Sequence, residues 1–415
     1  MLKVGIVGSG IAGLTAAYRL NEAGYQVTLF ERQASLGMAA HELRDDARQI
    51  RGDVPSRMFN DCLWPNLFQL YSELGVEVEE VNPTQSLTDA DGRTYLGFSK
   101  SYRPDINASL LLDSRSRKIL ADLRRLYRSA NDQLQSESVP DVSFEEYLRD
   151  GKYSEEFVYG YLYPTLSSTV CTCSYKSLAH YPALIVLEAL QKLAAKSPLL
   201  KTKNGTTDVV QRLSRKIDDV RLLTEVKQIV STDHGVGLVA ESAGLRQEHS
   251  FDHLIVAVQA NQAAKIVDSL SSDEQEMLSS FKYENVPVVV HCDSGLMPPD
   301  RKRWATFNMM VSGDSAAMCS VWMNQFHAAW PDCDDVFQTI NPVQLPASEF
   351  TIATANLQRP VVDQDSLAAW ELISKLNAQT DRKVWFCGSY ASRGIPLLES
   401  GVKSAGDVCA AIKQM

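Results

Sequence analysis

A glycine-rich turn at residues 8–13 constrains this chain more than any other stretch of its 415 residues. Gly8-Ser9-Gly10-Ile11-Ala12-Gly13 follows a short apolar run (Val4, Ile6, Val7) and opens a series of good helix formers, Leu14, Ala16, Ala17 and Leu20, that stops at Gly24. A second apolar run, residues 26–30, ends at Glu31 with Arg32 beside it. The tight turn needs Gly8, close approach of backbone to a pyrophosphate needs Gly10, and close packing of helix on strand needs Gly13. The helix start at Ile11 and Ala12 offers free N–H groups and partial positive charge to phosphates. Glu31 can accept hydrogen bonds from ribose hydroxyls and would repel a 2′-phosphate. A lone pattern of three glycines says little. Between a strand and a helix, with an acid closing the next strand, it predicts a dinucleotide-binding βαβ unit whose residues Gly8, Ser9, Gly10, Ile11, Ala12, Gly13, Glu31 and Arg32 meet the cofactor.

NAD and FAD share that unit, and two later features favour FAD. Leu36-Gly37-Met38-Ala39-Ala40-His41 comes soon after Glu31, where many flavoproteins bring the chain past the pyrophosphate again at a glycine pair. Near the end, Val384-Trp385-Phe386-Cys387-Gly388-Ser389 reads as a buried strand running into a glycine turn, and a helix opens around Gly401 and Val402. A strand–glycine–helix return suits a cofactor too long for one βαβ unit. A closing helix capped by glycine is the plainer reading, but it leaves two glycine-bearing turns unexplained.

Between these ends the chain is long enough for two or three units. Helical pattern is expected over residues 65–74, 110–134, 144–148 and 183–195. A hairpin is expected at Asp91-Gly92. Strands are expected over residues 220–230, 236–241, 251–258, 286–291 and 317–323, the third apolar enough for the middle of a parallel sheet. The fold class is therefore α/β. A Rossmann-like cofactor domain (1–55, 201–280 and 375–415) is interleaved with an α+β substrate domain (56–200 and 281–374), and a pocket is expected at their seam.

Charge and cysteine content narrow the partners. With 41 basic against 51 acidic side chains the net charge is −10, and there is no long Lys/Arg run, so nucleic acid is excluded. No apolar run reaches the ~18 residues of a membrane span. The strand at Lys3 leaves no room for a signal peptide. Eight cysteines are too sparse for a disulfide framework and predict a reduced, cytoplasmic protein. Cys171 and Cys173 lack zinc-site spacing and are expected to be structural or pocket-lining, with no metal.

Further motifs accompany the turn: Trp64-Pro65-Asn66-Leu67 with Leu74-Gly75-Val76-Glu77, residues 143–148, Asn204-Gly205-Thr206, Trp304-Ala305-Thr306-Phe307-Asn308, Val321-Trp322-Met323-Asn324, Asn341-Pro342 and Trp385-Phe386-Cys387-Gly388-Ser389-Tyr390. On these residues the chain resembles, over nearly its whole length, the flavin-containing amine oxidase superfamily, the fold of amine oxidases, phytoene-type desaturases and protoporphyrinogen oxidase. Within it the chain is most similar to bacterial NAD/FAD-binding proteins often found with cyclopropane-fatty-acid synthases. The resemblance implies a glutathione-reductase-type FAD domain, with Gly8, Ser9, Gly10 and Gly13 on the pyrophosphate and Glu31 on the ribose. Val226 would lie against adenine, and Gly388, Ser389, Gly401 and Val402 would approach the ribityl chain and the flavin's pyrimidine edge. Gly37 and Met38 would pass the pyrophosphate, Met38 standing where a second glycine is usual. Val54 and Pro55, in Asp53-Val54-Pro55, replace the Asp-Thr-Gly expected beside the isoalloxazine.

For chemistry, the cofactor carries the redox step and the protein positions it. His291 stands where many amine oxidases of the superfamily carry a lysine near flavin N5, and is the candidate proton-handling residue; a hydrogen-bonded structural histidine is the alternative. Trp304, Trp322, Asn324 and Tyr390, with Phe307, are candidates for the substrate wall; Asn308 and Asn341 are buried amides that need partners. Tyr159, Tyr161, Tyr163 and Pro164, with Cys171 and Cys173, are candidates for an entrance. The implied activity is FAD-dependent removal of hydride from a C–N or C–C unit of a small apolar or amine-bearing molecule, in an amine oxidase or desaturase, with oxygen as a possible acceptor. A flavin-dependent mutase or a flavin-free escort protein on the same fold stays open because of Met38 and Pro55.

Overall fold

The computed structural model describes all residues except 38–41, 100–102, 105–112, 196, 233–234, 269, 314–315, 328–329 and 331–333. Met38, expected near the pyrophosphate, lies outside the described residues.

Five parallel strands make the first sheet, in the order Asp219–Arg221, Gln26–Phe30, Lys3–Val7, His253–Val256, Val384–Phe386. Lys3–Val7, Gln26–Phe30 and His253–Val256 read as near-continuous apolar runs because helices bury both faces of such a sheet. Helix Ile11–Glu22 packs against the terminal helix Leu398–Lys413 through small residues. A Cβ on Gly401 would sit 2.8 Å from Ile11 Cγ2, so the two helices meet where glycine alone fits without a shift.

Residues 220–230 behave differently from the single strand expected there. Asp219–Arg221 joins the parallel sheet, whereas Glu225–Thr232 begins an antiparallel sheet with Gly235–Ser242 and Leu245–Phe251. The chain crosses between sheets at Leu223, which has a left-handed φ of 49° and is 63% exposed. Alternation across that point therefore marks no buried face. Residues 251–258 divide likewise, Phe251 closing the antiparallel sheet and His253–Val256 entering the parallel one.

A second large sheet has eight strands in the order Thr351–Val361, Lys282–His291, Phe337–Ile340, Ala316–Trp322, Phe307–Ser312, Gln85–Asp89, Thr94–Ser99, Arg103–Pro104. It is antiparallel except where Phe307–Ser312 lies parallel to Gln85–Asp89. The hairpin at Asp91-Gly92 is present, with Gly92 at φ +79°. Helices Pro65–Glu73, Ser114–Gln135, Phe144–Asp150 and Ala183–Leu193 fall where the periodicity puts them. Residues 155–180 add helix that the pattern does not reveal. Two π-helical stretches, Val158–Leu162 and Leu166–Val170, insert extra residues and take the apolar positions out of 3.6-residue phase.

Glu399 ties the terminal helix to helix Pro65–Glu73. Trp64 at the start of that helix gives no side-chain cap. Glu399 instead accepts from the N–H groups of Asn66 (3.2 Å) and Leu67 (2.9 Å) and from Asn66 Nδ2 (2.5 Å). A carboxylate at a helix start satisfies orphan donors and meets the positive end of the dipole. No helix among the described residues is long and apolar enough to cross a membrane.

Candidate cofactor and substrate site

The glycine turn is built by contacts that forbid side chains at two positions and leave a third open. Gly8 has φ +97°, and a Cβ on Gly13 would lie 1.9 Å from Gly8 O. Around Gly10 nothing lies within 4 Å of where a Cβ would stand. Gly10 precedes helix Ile11–Glu22, whose first turn has no side-chain cap. The helix start therefore faces open space with amide donors unspent.

One carboxylate and one hydroxyl hold that turn in place. Glu31 Oε2 accepts from Ser9 N–H at 3.0 Å and from Ser9 Oγ at 2.5 Å, and Glu31 Oε1 accepts from Gln33 N–H at 2.8 Å. Ser9 Oγ accepts in turn from Gly37 N–H at 2.8 Å. Gly37 has φ +52° and passes so close that a Cβ would stand 2.3 Å from Ser9 O. Thr224 N–H donates to Glu31 O, so the crossing segment runs beside the acid and leads to Val226, which is buried. Arg32 is exposed and points to no part of the cavity described next.

That cavity, of about 370 Å³, is lined by Gly10, Ile11 and Ala12, by the segments that follow two strands of the parallel sheet (Ala257, Val258, Gly388) and by strands of the eight-stranded sheet. On the first side it meets Gly388, Ser389 and Tyr390 and the start of the terminal helix at Leu397 and Leu398, a second helix N-terminus without a side-chain cap. Gly401 and Val402, expected at this edge, lie a turn deeper: Gly401 faces Ile11 and Val402 is buried. On the far side stand Thr169, Val170, Thr172, Tyr283, Leu357 and Arg359. Pro55 lines the cavity and Val54 is buried behind it.

Residues 53–59 form the wall between, and three elements anchor them. Buried Asp53 accepts from Thr206 N–H (2.9 Å) and Thr206 Oγ1 (2.6 Å) in the first turn of helix Gly205–Ser214. Ser56 N–H donates to Gln338 Oε1 at 3.0 Å, and Phe59 exchanges backbone hydrogen bonds with Leu200. Arg57 and Met58 are thereby held along the cavity. Arg57 Nη1 is buried with no partner, and so is Arg359 Nε, although Arg359 Nη2 donates to Cys171 O at 3.1 Å. Beyond Ser56 and Arg57 a more polar cavity of about 460 Å³ holds Asp53, Lys201 and His327. Lys201 pairs with Glu79 at 2.5 Å, and His327 stacks on Trp330 with its pKa pushed down to about 4 by burial.

His291 is not in either cavity. It is 0% exposed inside the eight-stranded sheet. Asp293 N–H donates to Nδ1 at 3.1 Å, which fixes the proton on Nε2, and Nε2–H donates to Thr339 Oγ1 at 2.7 Å. Thr339 Oγ1 lies 2.7 Å from Ser320 Oγ, whose hydroxyl donates to Leu296 O. Burial lowers the His291 pKa to about 4, so it is neutral near pH 7.

Trp304 and Trp322 also lie elsewhere. They pack edge to face at 5.3 Å beneath Arg301, with indole N–H groups bonded to Pro298 O and Asp335 Oδ1. Asn324 Oδ1 accepts from Val336 N–H, and Asn308 is buried with its amide bonded to Ala305 and Ser320. Of the substrate candidates only Tyr390 reaches the cavity; its hydroxyl is buried without a partner and burial raises its pKa. Tyr159, Tyr161, Tyr163, Pro164, Cys171 and Cys173 do not line it; Thr169, Val170 and Thr172 of the same segment do. Among the described residues no group of His, Cys, Asp and Glu side chains could hold a metal ion.

Sequence reasoning passed over Arg57, Phe59, Tyr71, Leu357 and Arg359, all of which line the cavity. The only available signal was the nearness of Arg57 to Asp53-Val54-Pro55.

Known proteins share the family and the fold. A family model described as flavin containing amine oxidoreductase matches residues 11–325. No curated protein matches the sequence. Among solved structures, cyclohexylamine oxidase from Brevibacterium oxydans IH-35A superposes with a TM-score of 0.69 at 16% identity, covering 100% of this chain and 99% of that one. A conjugated-linoleic-acid-producing fatty acid isomerase from P. acnes gives 0.69 at 16%, covering 98% and 97%. A putrescine oxidase double mutant gives 0.69 at 14%, covering 100% of both. At such identities the likeness is one of fold.

Proposed function

The chain belongs to the flavin-containing amine oxidoreductase family, and from that premise we propose that it takes hydride from a C–N or C–C unit of a small, largely apolar molecule. The family's cofactor is FAD, and the residues present fit it. The bare space over Gly10, two helix starts without caps and the carboxylate of Glu31 are donors and acceptors of the kinds a pyrophosphate and a sugar need. Bound FAD supplies the two-electron acceptor.

The protein's own part is to bind, orient and dry the site. Gly10, Ile11 and Ala12 would hold the phosphates and Glu31 the ribose. The helix start at Leu397 and Leu398 sets positive potential at the other end of the cavity. Met58, Phe59, Trp64, Leu67 and Tyr71 make an apolar wall that excludes water and orients the substrate. Tyr390 keeps its proton on Oη. His291, with both ring nitrogens engaged inside the sheet, is assigned to holding that sheet together.

The observation that carries this reading is a single cavity running from the glycine turn to residues of the other large sheet. Residues 1–55, 201–280 and 375–415 would form the cofactor unit and 56–200 and 281–374 the substrate unit, a division supported by the five-stranded and the eight-stranded sheet each drawing its strands from one set, with Leu199–Thr202, paired to Val78–Val81, crossing the boundary between them. The resemblance to proteins found beside cyclopropane-fatty-acid synthases adds a lipid-like body to the candidates, and oxygen is the proposed final acceptor. Anaerobic titration of the yellow protein with amines, amino acids and acyl compounds tests it: one class should bleach the flavin bands. Turnover with bands that never bleach would point to isomerisation without net oxidation, the activity named for the fatty acid isomerase neighbour.

A further inference from the structure

We propose that the substrate is an anion, a carboxylate on an apolar body, and that Arg57 and Arg359 clamp it; this rests on the reading that the cavity holds flavin and substrate together. Among the described residues lining the cavity there is no Asp or Glu, yet there are two arginines. Both side chains are half-buried, and each keeps one guanidinium nitrogen buried and unpartnered; a charged donor left so is costly, so two of them facing one cavity call for a negative group from outside the chain.

Neither arginine has an ion-pair partner among the described carboxylates. Arg57 Nη1 is buried and bonded to nothing. Arg359 gives Nη2 to the Cys171 carbonyl and keeps Nε buried and unpaired. Arg57 also borders the second cavity, where Asp53 stands with Oδ1 already accepting from Thr206 N–H and Oγ1. For Arg359 the candidate counter-charge is Glu284, directly across from it in the strand register. Its two oxygens are taken by Ser174 N–H, Ser174 Oγ and Ser177 Oγ.

The arginines come from different walls. Arg57 sits on the segment anchored through Asp53, Ser56 and Phe59, and Arg359 on strand Thr351–Val361. A planar guanidinium on each of two walls suits the planar, two-oxygen shape of a carboxylate. Phe59, Trp64, Leu67, Tyr71 and Leu357 supply walls for an apolar body. The cofactor's phosphates have their own donors at Gly10, Ile11 and Ala12. An ammonium ion would meet like charge and find no carboxylate here.

Calorimetric titration of the FAD-loaded protein with decanoate, decylamine and decanol, with FAD content measured separately, tests the clamp. Decanoate should bind about tenfold tighter than either analogue, and Arg57→Gln and Arg359→Gln should each weaken decanoate about tenfold. Both variants should leave FAD content and decanol affinity unchanged, and Arg57→Lys should recover part of the loss. The clamp is overturned by decylamine binding as tightly as decanoate, by no saturable decanoate binding, or by either Gln variant losing FAD instead of decanoate. Wild-type protein that takes up no FAD would defeat the functional reading on its own, and titrating that flavin-free protein with the same three compounds would still decide the clamp.

Discussion

Around Gly10 the chain leaves polar backbone open toward a cavity, whereas around His291 it closes each hydrogen bond inside the eight-stranded sheet. Both places bury polar groups, and the contrast separates two uses of them. A donor set left without partners waits for a ligand; a set that satisfies itself holds a sheet together. A histidine near the end of a strand looks catalytic in sequence, but Nδ1 and Nε2 of His291 are already spent on Asp293 and Thr339.

The largest expected effect breaks the open side. Gly13→Val puts carbon where Gly8 O stands, 1.9 Å from an ideal Cβ. This variant should purify without flavin, and absorbance of the released cofactor checks it. Glu31→Ala is expected to weaken FAD by about 10- to 100-fold, through lost charge-assisted hydrogen bonds to the sugar and a loosened Ser9; a fluorescence titration measures it. If Glu31→Ala binds FAD as the wild type does, Glu31 serves the turn alone.

The closed side should respond in stability and not in redox behaviour. His291→Leu strands the Asp293 N–H, takes from the Thr339 hydroxyl one of its two partners, and is expected to cost about 2–4 kcal/mol. Flavin content and the rate of flavin reduction should stay at wild-type values; a lost reductive step would return His291 to the chemistry. The pH dependence follows from the same burial. The folded pKa near 4 lies below the ordinary 6.5, so the unfolded chain takes up the proton first as pH falls. Stability from this residue is fully present above about pH 6.5 and drains away toward pH 4, at up to about 1.4 kcal/mol per pH unit. His327 adds the same sign. Thermal melts at about pH 7 and about pH 5 should differ less for His291→Gln than for wild type. The smallest effect is expected from Glu399→Ala, about 1 kcal/mol for the lost helix cap, seen as a slight fall in melting temperature.

The glycine turn is legible in sequence because steric contact leaves no choice: a positive φ at Gly8 and the approach of Gly13 to Gly8 O admit no side chain. The parallel strands are legible because burial on both faces writes itself as apolar runs. Arg57 and Arg359 are not, since whether a charge has a partner depends on elements hundreds of residues apart. The strand Thr351–Val361 that carries Arg359 alternates half-buried and exposed positions and gives no apolar run. Trp304 and Trp322 belong to the motifs of the family resemblance, yet they pack on each other away from the cavity. His291 faces the sheet's interior, opposite Phe337 in register, which only the pairing of distant strands decides.

The space over Gly10 is a cofactor's place if it takes up FAD. Equilibrium titration of apoprotein with FAD, followed by flavin absorbance and mass identification of what stays bound, tests that directly. The result expected is one FAD per chain, retained through gel filtration and absent from Gly13→Val. Folded wild-type protein that stays colourless with FAD in excess would contradict it.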